Sequence, residues 1–250
     1  MLTMPVSQVS KRRTLIVGHR GASGLAPENT LAAFRLAADL GIDGVEFDVQ
    51  RTADGHLVVF HDDELDRTSS GTGLLRDKTL AELANLDAGS WFNRQFAGEK
   101  IPTLEAMFDQ MRGNQLLLFL EMKDPHLFPG MEAEVAAMIR RYGFEGRTQV
   151  RSFYHPSLHE FYKIAPDIAI SELWYSHMPA AGEITYPTLN MLYSLLTPEI
   201  IAEVHARNQK VDAWTVNDVE IAEALIKAGI DGITTDFPDR MVKLENPGKS

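Results

Sequence analysis

The sequence predicts an α/β protein, a (β/α)8 TIM barrel carrying a small inserted subdomain after its second strand and hairpin. Three observations predict it. Short β-rich runs alternate with stretches of helical period, the pattern of a parallel sheet with helices outside. Eight such runs fall within 250 residues, the expected size of a closed barrel. The first run is not followed by a Gly-x-Gly-x-x-Gly turn, which disfavours the competing architecture, a doubly wound open sheet.

The eight strands are expected at residues 14–18, 44–49, 116–121, 148–152, 168–173, 189–195, 210–215 and 232–235. Helices between them have recognisable ends. Thr197 is an N-cap with Pro198 at the first helical position, Asn217 has Glu220 three residues on, and Gly41, Gly143 and Gly229 stand where helices should stop. The run Gly41-Ile42-Asp43-Gly44 through Asp48 is echoed by Gly229-Ile230-Asp231-Gly232 through Asp236. Every helix-to-strand junction of a barrel meets the same geometric demand, which accounts for the echo and puts Asp48 and Asp236 at equivalent strand ends.

Two segments depart from simple repetition. Residues 44–50 and 56–60 are joined by a stretch containing Asp54-Gly55, a hairpin signal, so the second run is an antiparallel partner of the first. Pairing across that turn brings His61 toward Glu46. The stretch at about 62–102 is too long for a barrel loop. It holds a short helix capped by Thr79 and Glu82, then Trp91, Phe92 and Phe96, aromatics whose expected role is packing. One domain is expected over residues 14–250. Residues 1–13 read as a flexible leader without the apolar run of a signal peptide, and a cytoplasmic location is the expectation.

Composition narrows the chemistry. The chain has 35 acidic and 24 basic side chains, a net charge of −11, and a pI near 5.2. Nucleic acid and anionic membrane surfaces are poor partners for such a field, since both demand basic side chains. No run is long and apolar enough to be an integral membrane segment. There is no cysteine, which excludes disulfides, thiolate metal sites and a cysteine nucleophile. The charge balance does not choose between a monomer and a homodimer.

In a barrel the reactive groups sit where strands end. The first strand ends in His19-Arg20-Gly21, the second carries Glu46 and Asp48, the hairpin ends in His61-Asp62, and the third strand ends in Glu121 and Lys123. Residues two apart share a strand face, so Glu46 projects with Asp48, and Glu121 with Lys123. Taken singly, these are ordinary solvated strand ends or structural ion pairs. Three carboxylates converging from neighbouring strands instead suit one hard divalent cation, Mg2+ or Ca2+ with Mn2+ as a further option. His19 and His61 are placed to exchange protons, whereas His56, His126, His155, His159, His177 and His205 carry no such context. With Arg20 and Lys123 supplying fixed positive charge, the set suits a phosphodiester.

The run His19-Arg20-Gly21-Ala22-Ser23-Gly24-Leu25-Ala26-Pro27-Glu28-Asn29-Thr30, followed by Glu46-Phe47-Asp48-Val49 and Val58-Val59-Phe60-His61-Asp62, strongly resembles the glycerophosphodiester phosphodiesterase family. The similarity continues through Leu65-Asp66-Arg67-Thr68, Gly71-Thr72-Gly73, Leu86-Asp87-Ala88-Gly89-Ser90-Trp91, Ile101-Pro102-Thr103-Leu104 and Leu120-Glu121-Met122-Lys123. It returns at Trp214-Thr215-Val216-Asn217 and Thr235-Asp236. Met122 replaces the family's more usual branched aliphatic residue at a position expected to face away from the mouth.

The resemblance implies metal-dependent hydrolysis of a small-molecule glycerophosphodiester to sn-glycerol 3-phosphate and an alcohol. It implies metal ligation by Glu46, Asp48 and Glu121, acid–base work by His19 and His61, phosphate contacts from Arg20 and Lys123, and an aromatic substrate wall at Trp214. Glu28 is expected to orient Arg20, and Asn29 either shares that role or caps the helix starting near Thr30. Two alternatives stand beside this reading. One is a lysophospholipase D or cyclising lyase with an acyl groove lined by Trp174, Tyr175 and Met178, residues that equally suit packing. The other is a non-catalytic metabolite-binding barrel, since fold alone does not set function.

Overall fold

The computed structural model describes residues 13–180 and 186–245. The expected leader lies, Arg13 apart, outside the described residues. In chain order the elements are β1 (Leu15–Gly18), α1 (Leu31–Asp39), β2 (Gly44–Arg51), β3 (Leu57–Val59), α2 (Leu80–Leu83), α3 (Leu104–Met111), β4 (Leu117–Met122), α4 (Met131–Tyr142), β5 (Thr148–Ser152), α5 (His155–Ile164), β6 (Ala169–Trp174), β7 (Thr188–Leu192), α6 (Pro198–Ala206), β8 (Lys210–Trp214), α7 (Val219–Ala228), β9 (Gly232–Thr235) and α8 (Pro238–Glu245).

Eight strands pair in parallel in the order β1-β9-β8-β7-β6-β5-β4-β2, and β1 pairs again with β2 to close the barrel. The remaining strand, β3, runs antiparallel to β2 with Val49 opposite Val59, as the Asp54-Gly55 turn requires. The expected strand at 189–195 is shorter, because residues 193–195 form a 3-10 turn after β7.

The strands are buried on both faces, which is why they read as almost continuous apolar runs. On β2, Val45, Phe47 and Val49 are fully buried in the main core, while the intervening Glu46 and Asp48 point into the barrel. Phe47 meets Phe34 of α1 edge to face at 6.0 Å and Phe108 of α3 at 6.4 Å. Such pairs add roughly 0.5–1.5 kcal/mol each beyond their burial.

Local signals set most helix ends. Thr197 caps α6 with Pro198 in its first turn, Thr79 and Glu82 form a reciprocal capping box on α2, and Gly143 and Gly229 end α4 and α7 in left-handed conformations. One expected cap, and one of the two roles open to Asn29, fall one residue away. Asp218, not Asn217, accepts from the first-turn amides of α7, because the Asn217 amide is engaged with Asp236. Thr30, not Asn29, caps α1, because Asn29 reaches inward to Asp48.

Residues 62–102 pack against the hairpin with a small core of their own, in which Leu65, Leu75, Leu83, Ala88 and Ile101 join Val58 and Phe60. Trp91, Phe92 and Phe96 stack edge to face on one another at 5.7 and 5.8 Å, and the Trp91 indole N–H donates to the Ala88 carbonyl. They pack, as expected.

Candidate active site

The chain leaves β1 through two left-handed residues, Arg20 (φ 52°) and Gly21 (φ 84°). A Cβ on Gly21 would lie 2.8 Å from the backbone of Ala33, so only glycine lets this turn approach α1. The turn is fixed from both sides. The Arg20 amide donates to Glu46 Oε2 at 3.0 Å, and its carbonyl accepts from the Asn29 amide at 3.0 Å. The Arg20 side chain consequently reaches Glu28 Oε1 at 2.7 Å and stands 3.5 Å from Asp48. Burial alone would weaken its charge, but Asp48, Glu28 and Glu46 outweigh burial and raise its pKa.

Register brings the acidic groups together. Asp48 on β2 lies directly beside Glu121 on β4, and oxygens of Glu46, Asp48 and Glu121 lie within 4.8 Å of one another. All three residues are buried. Lys123 Nζ bonds Glu121 at 2.9 Å and stands 4.0 Å from Asp48, while the Asn29 amide donates to Asp48 at 2.8 Å.

The three carboxyls respond differently. Burial would raise Asp48, yet Arg20, His61, Lys123 and the Asn29 bond together bring it down to about 2. Burial drives Glu121 up to about 7 against the pull of Lys123. Glu46 goes well above the ordinary range through burial and then repulsion from Asp48 and Glu121. Nearby Arg20 and Lys123 therefore leave a deficit of positive charge at Glu46 and Glu121. A donor set of carboxylate oxygens with that deficit fits a hard divalent cation.

Each histidine is held at Nδ1 by a carboxylate. His19 Nδ1 lies 2.6 Å from Asp236, which also accepts from Ser23 and Asn217; its Nε2 lies 4.0 Å from Glu46. His61 Nδ1 lies 2.6 Å from Asp62. Burial first, then Arg20 and Lys123, lower the His61 pKa despite Asp48 and Asp62. This carboxylate–imidazole pairing fixes each ring and its free nitrogen.

His19, Arg20, Glu46, His61, Glu121 and Trp214 line one cavity of about 100 Å³ at the C-terminal mouth, together with Arg151 and Phe153. Glu46 and His61 thus line the same cavity, the side of the site to which the hairpin pairing carries both. Asp48 and Lys123 are not among the lining residues but adjoin them, Asp48 beside Arg20 and Lys123 bonded to Glu121 and 6.0 Å from the centre of the Phe153 ring. The Trp214 ring lies 5.4 Å from Phe153, which in turn lies 5.6 Å from Tyr175. Of the other residues that an acyl groove would need, Trp174 packs against His155 and His177, and Met178 against the core.

Several neighbours escape sequence reading. Asp236 had a signal, its echo of Asp48, but nothing in its spacing named His19 as partner. Arg67, bonded to both Glu28 and Asp62, sits in a motif whose role only folding shows. Arg151 had no signal at all. It is fully buried in β5, bonded to Asp212 at 3.0 Å, with its guanidinium 4.1 Å from the centre of the Phe119 ring.

The family model for the glycerophosphoryl diester phosphodiesterase family matches residues 19–240. A glycerophosphodiester phosphodiesterase from Caldanaerobacter subterraneus subsp. tengcongensis is 42% identical over 243 residues, covering 94% of this chain and 99% of that protein. Among solved structures, an Oleispira antarctica phosphodiesterase in complex with the product sn-glycerol-3-phosphate superposes with a TM-score of 0.87 at 32% identity, covering 92% of this chain and 96% of that one. A putative glycerophosphoryl diester phosphodiesterase from Silicibacter pomeroyi gives a TM-score of 0.85 at 31% identity, covering 94% and 93% of the two chains. A closed parallel barrel, the signature residues gathered at one mouth and a match along nearly the whole length agree: this chain belongs to the glycerophosphodiester phosphodiesterase family.

Proposed function

We propose that this chain hydrolyses small glycerophosphodiesters to sn-glycerol 3-phosphate and an alcohol, with one divalent cation held by Glu46, Asp48 and Glu121. The observation that carries this reading is the pairing of an under-compensated acidic triad with two cations and two carboxylate-held histidines around one cavity. The solved relative that holds sn-glycerol-3-phosphate supports the same product.

Bound there, Mg2+, Ca2+ or Mn2+ would act as a Lewis acid toward phosphate oxygen and attract the glycerol hydroxyls. Arg20 and Lys123 neutralise phosphate charge as it redistributes in the transition state. His61, whose pKa burial lowers, takes the proton from the nucleophile. His19, oriented by Asp236, gives a proton to the departing alkoxide. The nucleophile is water or, in a two-step route, the glycerol 2-hydroxyl followed by water. Trp214 and Phe153 form the apolar side of the cavity and receive the alcohol portion. A cytoplasmic site of action is part of the proposal, to be tested by cell fractionation.

The test is a coupled assay for glycerol 3-phosphate across several glycerophosphodiesters, with and without chelator. Cation-dependent release is expected. No release with Mg2+, Mn2+ or Ca2+, despite stabilisation by the same compounds, would favour the binding-protein reading. The row Trp214, Phe153 and Tyr175 favours a second reading, action on lysophospholipids. Faster turnover of lysophosphatidylcholine than of glycerophosphocholine under identical cation conditions would favour it.

A further inference from the structure

We infer that Arg67, a residue outside the barrel, is a positioning residue that holds Arg20 and His61 in one geometry through the chain of bonds Arg20–Glu28–Arg67–Asp62–His61. The inference rests on the roles proposed above for those two residues.

The guanidinium of Arg67 lies between two carboxylates and grips each with two nitrogens. Nη1 and Nη2 donate to the two oxygens of Glu28 at 2.8 and 2.7 Å, and Nε and Nη2 to those of Asp62 at 2.6 and 2.9 Å. Each carboxylate uses an oxygen so gripped to hold a residue of the mouth. Glu28 Oε1 also accepts from Arg20 Nη1 at 2.7 Å, and Asp62 Oδ1 meets His61 Nδ1 at 2.6 Å. Five side chains thus connect the loop after β1 to the end of the hairpin without a gap.

A planar fork is needed at the centre. Lysine presents one ammonium and cannot match two carboxylate planes at once. The fork is also mounted firmly. Leu65, two residues before it, is buried in the small second core, and its amide bonds the Gly73 carbonyl at 2.9 Å. The segment after the hairpin thereby contributes to the mouth as well as packing beside it.

A purely structural ion pair is a poor account of this arrangement. The Arg67 side chain is 47% exposed, so solvent screens part of what its two-point pairs add to stability. Its consequence is local. The charges facing His61 are Asp48, Arg20, Lys123 and Asp62, and Arg67 holds the last of these at about 2. Without Arg67, Asp62 would carry its charge against His61 alone, and Glu28 would be free to turn with Arg20.

The experiment compares wild type, Arg67→Met and Arg67→Lys on glycerophosphocholine with Mg2+. It measures kcat, KM, the pH dependence of kcat/KM, Mg2+ affinity by calorimetry and Tm. For Arg67→Met, kcat is expected to fall about 10- to 100-fold, with the acid limb of the pH profile moving upward. Mg2+ affinity and Tm should stay near wild type, and Arg67→Lys should recover little of the loss. An Arg67→Met enzyme within about twofold of an active wild type overturns the inference. So does a loss of activity that tracks Tm and Mg2+ affinity while the pH limb stays in place. A wild-type chain without turnover under any cation overturns the proposed function and this inference together.

Discussion

His19 Nδ1 lies 2.6 Å from Asp236 Oδ1, joining the loop after the first barrel strand to the loop after the last. β1 and β9 are paired along their whole length, so this contact sits at the seam where the barrel closes. Burial would raise the Asp236 carboxyl, but bonds and charge from His19, with Asn217 and Ser23, hold it at about 2.

That depression makes Asp236 a measurable stability term. Its folded pKa lies below the ordinary 3.8, so its contribution is full above that value and is lost as pH falls toward 2. Discounted for partial exposure, it amounts to about 1–2 kcal/mol. Asp236→Asn should flatten the acid side of the stability profile in urea titrations between pH 4 and 2. The same variant should lower kcat about 10- to 100-fold by freeing the His19 ring. An unchanged rate would show that His19 needs no carboxylate to orient it.

Cation binding should be linked to pH. Glu121 is pushed up to about 7, from an ordinary 4.5, by burial against the pull of Lys123. The cation-free protein therefore loses stability as pH rises from about 4.5 to about 7. Divalent cation should raise Tm more at pH 8 than at pH 5, and at pH 6.5 its binding should release protons, visible as a buffer-dependent calorimetric heat. Glu46→Gln should weaken both effects. Equal Tm shifts at the two pH values would contradict the arrangement.

Replacing either histidine should separate chemistry from binding. His19→Ala and His61→Ala are each expected to lower kcat about 100- to 10,000-fold, while Mg2+ still raises Tm. In wild type, the acid limb of kcat/KM should lie below the ordinary histidine value of 6.5, because burial lowers His61. Near-normal turnover in either variant would remove that residue from the mechanism.

The aromatic side of the cavity should govern fit to the alcohol portion of the substrate. Trp214 and Phe153 stand 5.4 Å apart with their rings at 76°. Trp214→Ala should raise KM for glycerophosphocholine about tenfold with a smaller change in kcat, the pattern of lost uniform binding. An unchanged KM would place the alcohol portion elsewhere.

Much of the fold could be read locally. The Thr79–Glu82 box, Thr197-Pro198 and the Asp54-Gly55 turn are each settled within a few residues, and the structure uses them as expected. Where two capping residues were adjacent, the local sequence did not decide between them. Asn217 and Asn29 both suit a cap, but Asp236 and Asp48 engage them instead. A side chain with two competing partners follows the one drawn further from water, since a carboxylate left unmet there costs more than a lost cap.

The residues now gathered at the mouth divide in the same way. His19, Arg20, Glu46, Asp48, His61, Glu121 and Lys123 were legible because strand ends and spacing-two pairs are properties of the chain alone, and Trp214 only through the family resemblance. Their supporting partners were not. Asp236 is 217 positions from His19, Arg67 is 39 from Glu28, and Arg151 is 61 from Asp212. The sequence by itself determined which strands exist, which faces they present and which side chains stand at their ends, because periodicity and caps act over a few residues. Only the tertiary structure decided which carboxylate holds which histidine and how far each carboxyl shifts. Those depend on barrel closure, register and burial, and no short stretch of chain contains them.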